Sequence, residues 1–306
     1  MKTLHRQNHH FGWDRSLAPA LRIAPGEEVE FEVLDASGGQ LGAASSVEDV
    51  ARLDFTRVNP VTGPVYLEGA EPGDAVVVEI LDFAESGWGW TALIPGFGLL
   101  AEDFPAPALH ISRYDARAVE FLPGVRIPTR PFPGTIGLAL AAPGTHSVVP
   151  PREVGGNMDI RDLTRGSRLY LPVQVPGALF SVGDTHAAQG DGEVCGTAVE
   201  SPMRLHLRLG LWKGAGLKRP EFELPSHPTT PLETKGYYVT TGIAPDLLQA
   251  AKDAVRGMIE HLERTYQLEP ALAYMLCSVA VDLRISEVVD APNWLVSAYL
   301  PRAIFV

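Results

Sequence analysis

The chain has 306 residues, 45% hydrophobic and 20% charged, so disorder is excluded and a sizeable core is expected. Its formal net charge of −12 excludes nucleic acid and anionic membrane surfaces as partners. Two cysteines, Cys195 and Cys277, exclude a disulfide framework and read as buried thiols; a polar, histidine-rich start and the lack of any long apolar run exclude a signal peptide and a membrane helix, which points to the cytoplasm.

The 30 glycines and 26 prolines are spread along the chain, roughly half again above ordinary usage. Many turns between short strands make the expected fold mainly β. Pro25-Gly26-Glu27 precedes an alternating run with Val29, Phe31 and Val33 on one face, a half-exposed strand. Pro72-Gly73-Asp74 precedes Val76-Val77-Val78-Glu79-Ile80, a strand expected to be buried on both faces. Further strands are expected at residues 168–175, at residues 203–209 with Met203, Leu205, Leu207 and Leu209 alternating with polar neighbours, and at residues 237–241. No long helix is expected before residue 240.

The pattern then changes. Pro245 fits the first position of a helix, and Leu248, Ala251, Val255, Ile259, Leu262 and Tyr266 recur at steps of three and four. His261, next to Glu260, reads as a surface residue of that helix. Pro270 opens a second expected helix with the stripe Leu272, Leu276, Val279 and Leu283. The expected architecture is a sandwich- or barrel-like β body with two C-terminal helices packed on it, a smaller α+β portion. Residues 1–150 form the expected N-terminal β-rich subdomain and residues 151–306 the metal-site segment with the α+β part, in one compact unit.

The chemistry-bearing stretch runs from Gly155 to Glu200. It starts Gly155-Gly156-Asn157-Met158-Asp159 and continues from Gly183-Asp184-Thr185-His186 to Gly190-Asp191-Gly192-Glu193. Glycine lets a backbone approach a ligand closely while polar side chains are held inward. Asp184 and His186 are two apart, so on a strand they share a face, and Asp159 can converge from another loop. Oxygen and nitrogen donors of this kind suit a divalent ion that acidifies water and polarises an amide carbonyl. Asp159, Asp184 and His186 are the expected ligands of one such ion. Glu193, ending the glycine-rich turn, is the expected general base. Each aspartate taken singly also has a plainer reading in turn geometry. Trp88, Trp90 and Phe97, set among glycines, suit either a pocket cover or a core under a long loop.

The two polar runs resemble signature segments of the acetamidase/formamidase family. So do Asn59-Pro60-Val61-Thr62-Gly63-Pro64-Val65-Tyr66, Pro95-Gly96-Phe97-Gly98 and the run from Asp282 to Asp290, in order along nearly the whole chain. The resemblance implies a hydrolase acting on carbon–nitrogen bonds other than peptide bonds, taking formamide, acetamide, a similar small amide or a lactam. It implies one divalent metal, zinc ahead of calcium, and water rather than Cys195 as the nucleophile. His10, three before Trp13 as in the family's N-terminal motif, reads as a substrate contact, with Asn157 and Gln189 from the matching runs. The family often has histidine where Asn59 stands; asparagine hydrogen-bonds but is no general base near neutral pH. Arg284 and Glu287 read as a structural ion pair. A homodimer is the expected assembly. The alternative function is a non-catalytic small-molecule binding protein on the same fold.

Overall fold

The computed structural model describes all residues except 99–100, 102–104, 123–124, 191, 194, 226–234, 269, 271–272, 274–280, 303–304 and 306. Among the described residues two large sheets form the body. The first has nine strands, in the order Lys2–Leu4, Glu27–Glu32, Met203–Trp212, Ala75–Glu85, Arg168–Pro172, Glu221–Glu223, Tyr237–Ala244, Trp294–Pro301 and Asp282–Glu287. The second runs Gly155–Asn157, Phe132–Gly137, Phe180–His186, Val61–Leu67 and His9–His10, with Leu21–Ile23 paired in parallel on Val61–Leu67. Strands from before and after residue 150 share both sheets.

Alternation explains why the sheets stack. In Met203–Trp212, Met203, Leu205, Leu207 and Leu209 are buried while Arg204, His206 and Arg208 are not. Phe31 of the first sheet meets Phe180 of the second edge to face, ring centroids 5.6 Å apart, inside one continuous apolar core. Burial of such side chains stabilises each by about 1.5–3 kcal/mol. The strand after Pro72 departs from expectation. Val76, Val78 and Ile80 are buried, but Val77 and Glu79 face partly outward, and Glu79 accepts from Arg168 and Arg208 at 2.7 and 2.6 Å. That face is covered by an ion-pair row rather than by a second apolar layer.

A four-stranded sheet, Val125–Pro128, Ala118–Leu122, Ala108–Tyr114 and Trp88–Leu93, adjoins the body through Trp90, whose backbone pairs with Glu200. The C-terminal helix spans Leu247–Tyr266. Its N-cap is Asp246, whose Oδ1 accepts from Gln249 N at 2.7 Å, so Pro245 lies before the cap rather than inside the helix. The helix lies close on Tyr237–Ala244 because Gly242 has no side chain: a Cβ there would collide with the backbone of Ala250 and Ala254. His261 is a correction to the sequence reading. It is buried and stacks on Tyr238, centroids 3.5 Å apart and planes 7° from parallel. Burial, then the Arg264 charge, lowers its pKa to about 3. The second expected helix falls mostly outside the described residues, including Leu272, Leu276 and Val279, as does Cys277. Leu283 lies instead on the edge strand Asp282–Glu287, half exposed. No helix among the described residues is long and apolar enough to cross a membrane.

Candidate active site

The site is built on the antiparallel pair Phe132–Gly137 and Phe180–His186. Between the paired residues Pro133↔Thr185 and Thr135↔Gly183, Gly134 stands opposite Asp184. The Gly134 carbonyl accepts from Met158 N and Asp159 N at 2.9 and 3.2 Å, which hangs the Asp159 loop on the same strand. A Cβ on Gly134 would fall 2.7 Å from Asp184 Oδ2, 2.9 Å from His186 Cε1 and closer still to Asp159 Oδ1. The missing side chain is the space in which these three groups meet.

Asp159, Asp184, His186 and Glu193 are all buried. They converge as the spacing predicts, and Glu200 joins them. Atoms of Asp159, His186 and Glu193 lie within 4.8 Å of one another, as do atoms of Asp184, His186 and Glu200. Asp159, Asp184, Glu193 and the neighbouring Asn59 have φ of 48°, 53°, 47° and 53°, in the left-handed region. Each such position costs on the order of 1 kcal/mol. Four of the seven non-glycine residues with positive φ among the described residues cluster here, so the strain is concentrated at the site.

Gln189 sets the histidine. Its Nε2 donates to the Asp159 carbonyl at 2.8 Å, which turns its Oε1 toward His186 Nδ1, also at 2.8 Å. Nδ1 must therefore donate, and Nε2 points at Asp184 Oδ1 and Glu200 Oε2, each 3.1 Å away, with Glu193 Oε1 at 4.0 Å. A bare lone pair facing two carboxylates is repulsive. The position calls for positive charge, whether a proton or a cation. Among the described residues, no hydrogen-bond donor reaches either carboxylate oxygen of the buried Asp159. One imidazole nitrogen and several carboxylate oxygens left without donors form a donor set that fits a divalent cation.

The charges confirm the crowding. Burial, then the Asp184 charge, drives the Asp159 carboxyl well above the usual carboxylate range. Burial, then Asp159, does the same to Glu193 and Asp290. Burial lifts Glu200 and Glu287 to about 7. Burial opposes ionisation of Asp184 and His186, but their mutual attraction, with Glu200 acting on the histidine, lowers the aspartate and raises the histidine.

Glu200, Glu287, Asp290 and Thr135 escaped the sequence reading. Thr135 Oγ1 donates to Asn157 Oδ1, and Asn157 Nδ2 donates to Asp290 Oδ2, so Asn157 is a link in the site wall. Glu287 Oε1 accepts from Val289 N and, at 2.6 Å, Asp290 N, which shapes the turn that presents Asp290. The expected Arg284–Glu287 ion pair is absent. Arg284 instead reaches Asp162 at 3.0 Å, and Glu287 turns back onto the backbone of Val289 and Asp290. Both acids lie in the run from Asp282 to Asp290, so the signal was present but assigned to structure. His10 does not line the cavity at this site: its Nδ1 contacts Gly12 O at 2.8 Å and its Nε2 Ser181 Oγ at 2.9 Å. Burial lowers its pKa to about 4. Cys195 is half-buried rather than buried, and its Sγ lies 3.3 Å from Thr197 O.

A β-sandwich carrying a buried carboxylate–imidazole cluster defines the class: a hydrolase of carbon–nitrogen bonds other than peptide bonds, as the relatives establish. The sequence profile of the Acetamidase/Formamidase family matches residues 1–143 and 139–306. The formamidase of Methylophilus methylotrophus is 33% identical over 369 residues, covering 97% of this chain and 89% of that protein. The acetamidase of Mycolicibacterium smegmatis is 32% identical over 269 residues, 67% of this chain and 66% of that one. Among solved structures, an acetamidase from Bacillus halodurans superimposes with a TM-score of 0.90 at 32% identity, covering 99% of this chain and 98% of its own. A gamma lactamase from Delftia acidovorans superimposes with a TM-score of 0.71 at 31% identity, covering 100% and 93%. The chain belongs to the acetamidase/formamidase family.

Proposed function

We propose that the protein hydrolyses small amides with a divalent ion held by Asp159, Asp184 and His186, Glu200 completing the donor set. The products are a carboxylate and ammonia or an amine. The observation that carries this reading is His186 Nε2 aimed at two buried carboxylates beside the donor-free oxygens of Asp159. Bound there, a divalent ion supplies Lewis acidity toward a carbonyl and acidifies water toward neutral pH. The imidazole donor favours zinc over calcium, which prefers oxygen alone.

The chain's own groups do the rest. Gln189 holds the imidazole so that Nε2 faces the acids. Glu193 stands farther from Nε2 than Asp184 and Glu200 do, which leaves it to carry a proton. It takes one from the attacking water and returns it to the leaving nitrogen, so that the C–O bond forms as the C–N bond breaks. Burial keeps the Glu193 proton affinity high, which suits a carrier that must hold and then release a proton. Asn157 and Asp290 offer polar partners to the amide, and the apolar walls exclude bulk water. The homodimer expected from the sequence is part of the same proposal. Release of ammonia from formamide, acetamide or larger primary amides, and ring opening of a γ-lactam, tests the reading; no turnover on any of them contradicts it.

A further inference from the structure

The cavity at the carboxylate cluster is much larger than formamide or acetamide needs. It holds about 450 Å³, room for about fifteen waters at liquid density. Its lining is of two kinds. Asn157, Asp184, Glu193, Glu200 and Asp290 give its lining a polar, acidic part, and Leu53, Phe55, Val58, Trp90, Ile94 and Phe97 an apolar part. Two of these walls are fixed in place. Trp90 Nε1 donates to the buried Asp35 at 3.0 Å, and Asp35 is in turn held by Ser37. Gly196, with φ +87°, has no Cβ where Phe97 lies, so the phenyl ring rests against its backbone. A rigid apolar wall needs little ordering on binding and selects by shape.

We propose that the substrates are primary amides whose acyl group is apolar and medium-sized, on the order of six carbons, linear, branched or aromatic. This rests on the amide-hydrolysis reading of the same site and deepens it. The orientation follows from the donors. An unsubstituted amide nitrogen offers two N–H groups and belongs beside the carboxylate acceptors. An apolar substituent on that nitrogen would strip water from Glu193, Glu200 and Asp290 without replacing their hydrogen bonds, which is costly. The acyl chain therefore lies along Phe55, Trp90 and Phe97. Hydrolysis is balanced by water alone: the C–N bond breaks, a C–O bond forms, and the nitrogen leaves as ammonia with the proton that Glu193 returns.

The test is kcat/KM for ammonia release across formamide, acetamide, butanamide, hexanamide and benzamide. Each buried methylene should raise kcat/KM about fourfold, so hexanamide should exceed acetamide on the order of 100-fold. Phe55 is 60% exposed at the cavity rim, so Phe55→Ser should fold normally. It should lower the hexanamide-to-acetamide ratio about fivefold, the apolar contact of a partly exposed ring. A flat or falling series with clear turnover of acetamide would overturn the size inference and leave the amidase reading standing. Absence of ammonia from every amide would overturn the amidase reading and this inference with it.

Discussion

Gly134→Ala adds one methyl group and probes the whole arrangement. Gly134 does not have positive φ, so alanine strains no backbone there; the effect comes from contact alone. The new Cβ would sit within 3.0 Å of Asp159 Oδ1, Asp184 Oδ2 and His186 Cε1, distances that carbon atoms do not tolerate. Those groups are buried and joined to one another, so they must move together. Overpacking of this kind costs about 1–3 kcal/mol, a fall in Tm of a few degrees for a chain of this size. Activity should suffer far more. Displacing reacting groups by about 1 Å lowers the rate on the order of 100-fold. The assay pairs kcat/KM for a primary amide with thermal unfolding and metal content. Gly190→Ala is the control, because a Cβ there meets nothing among the described residues within 4 Å. A Gly134→Ala protein with unchanged turnover and metal content would refute the geometry proposed for the site.

Glu193→Gln should lower kcat by ~10²–10⁴ and leave the metal bound; unchanged kcat would remove Glu193 from the proton-carrying role. Gln189→Leu frees the His186 ring and should weaken metal affinity by about 10–100-fold, read by competition with a chelator of known affinity. His261→Phe tests acid linkage. The folded His261 pKa is lowered to about 3, below the unfolded value of about 6.5, so the unfolded chain takes up the proton first. Stability is therefore full above about pH 6.5 and falls as pH drops, by roughly 2 kcal/mol at pH 5. The phenylalanine variant keeps the stack on Tyr238 and should lose less stability than the parent between pH 7 and 5 in denaturant titrations. Equal losses would show that His261 is protonated in the folded state.

Much of the fold was legible because period-2 patterns report burial directly. Met203–Trp212 shows it; the long helix was legible from its three-and-four spacing, but Leu248 is exposed and Ala250, Ala254, Gly257 and Met258 carry its buried stripe. His261 was misread from its neighbour Glu260, although it continues the three-and-four spacing of Ala250, Ala254, Gly257 and Met258 on the buried stripe. The strand after Pro72 was misread because a run of valines reports β-propensity and cannot show that Glu79 belongs to an ion-pair row. Asp159, Asp184, His186 and Glu193 were legible as polar side chains held by glycine-rich backbone. Gly134 was not, since its role is the space it leaves. Glu200 pairs with His186 across an isolated bridge, and Glu287 and Asp290 arrive from the far edge strand. Contacts between such distant segments leave no local pattern. Left-handed φ at Asp159, Asp184 and Glu193 is likewise a product of tertiary packing.

The central claim is that the buried acids and His186 hold a catalytic divalent ion. Elemental analysis of the purified protein before and after chelation, with ammonia release followed on the same samples, tests it most directly. The account predicts one divalent ion per chain, loss of turnover on its removal, and recovery on adding zinc back. Full turnover by protein shown to be free of metal would contradict it.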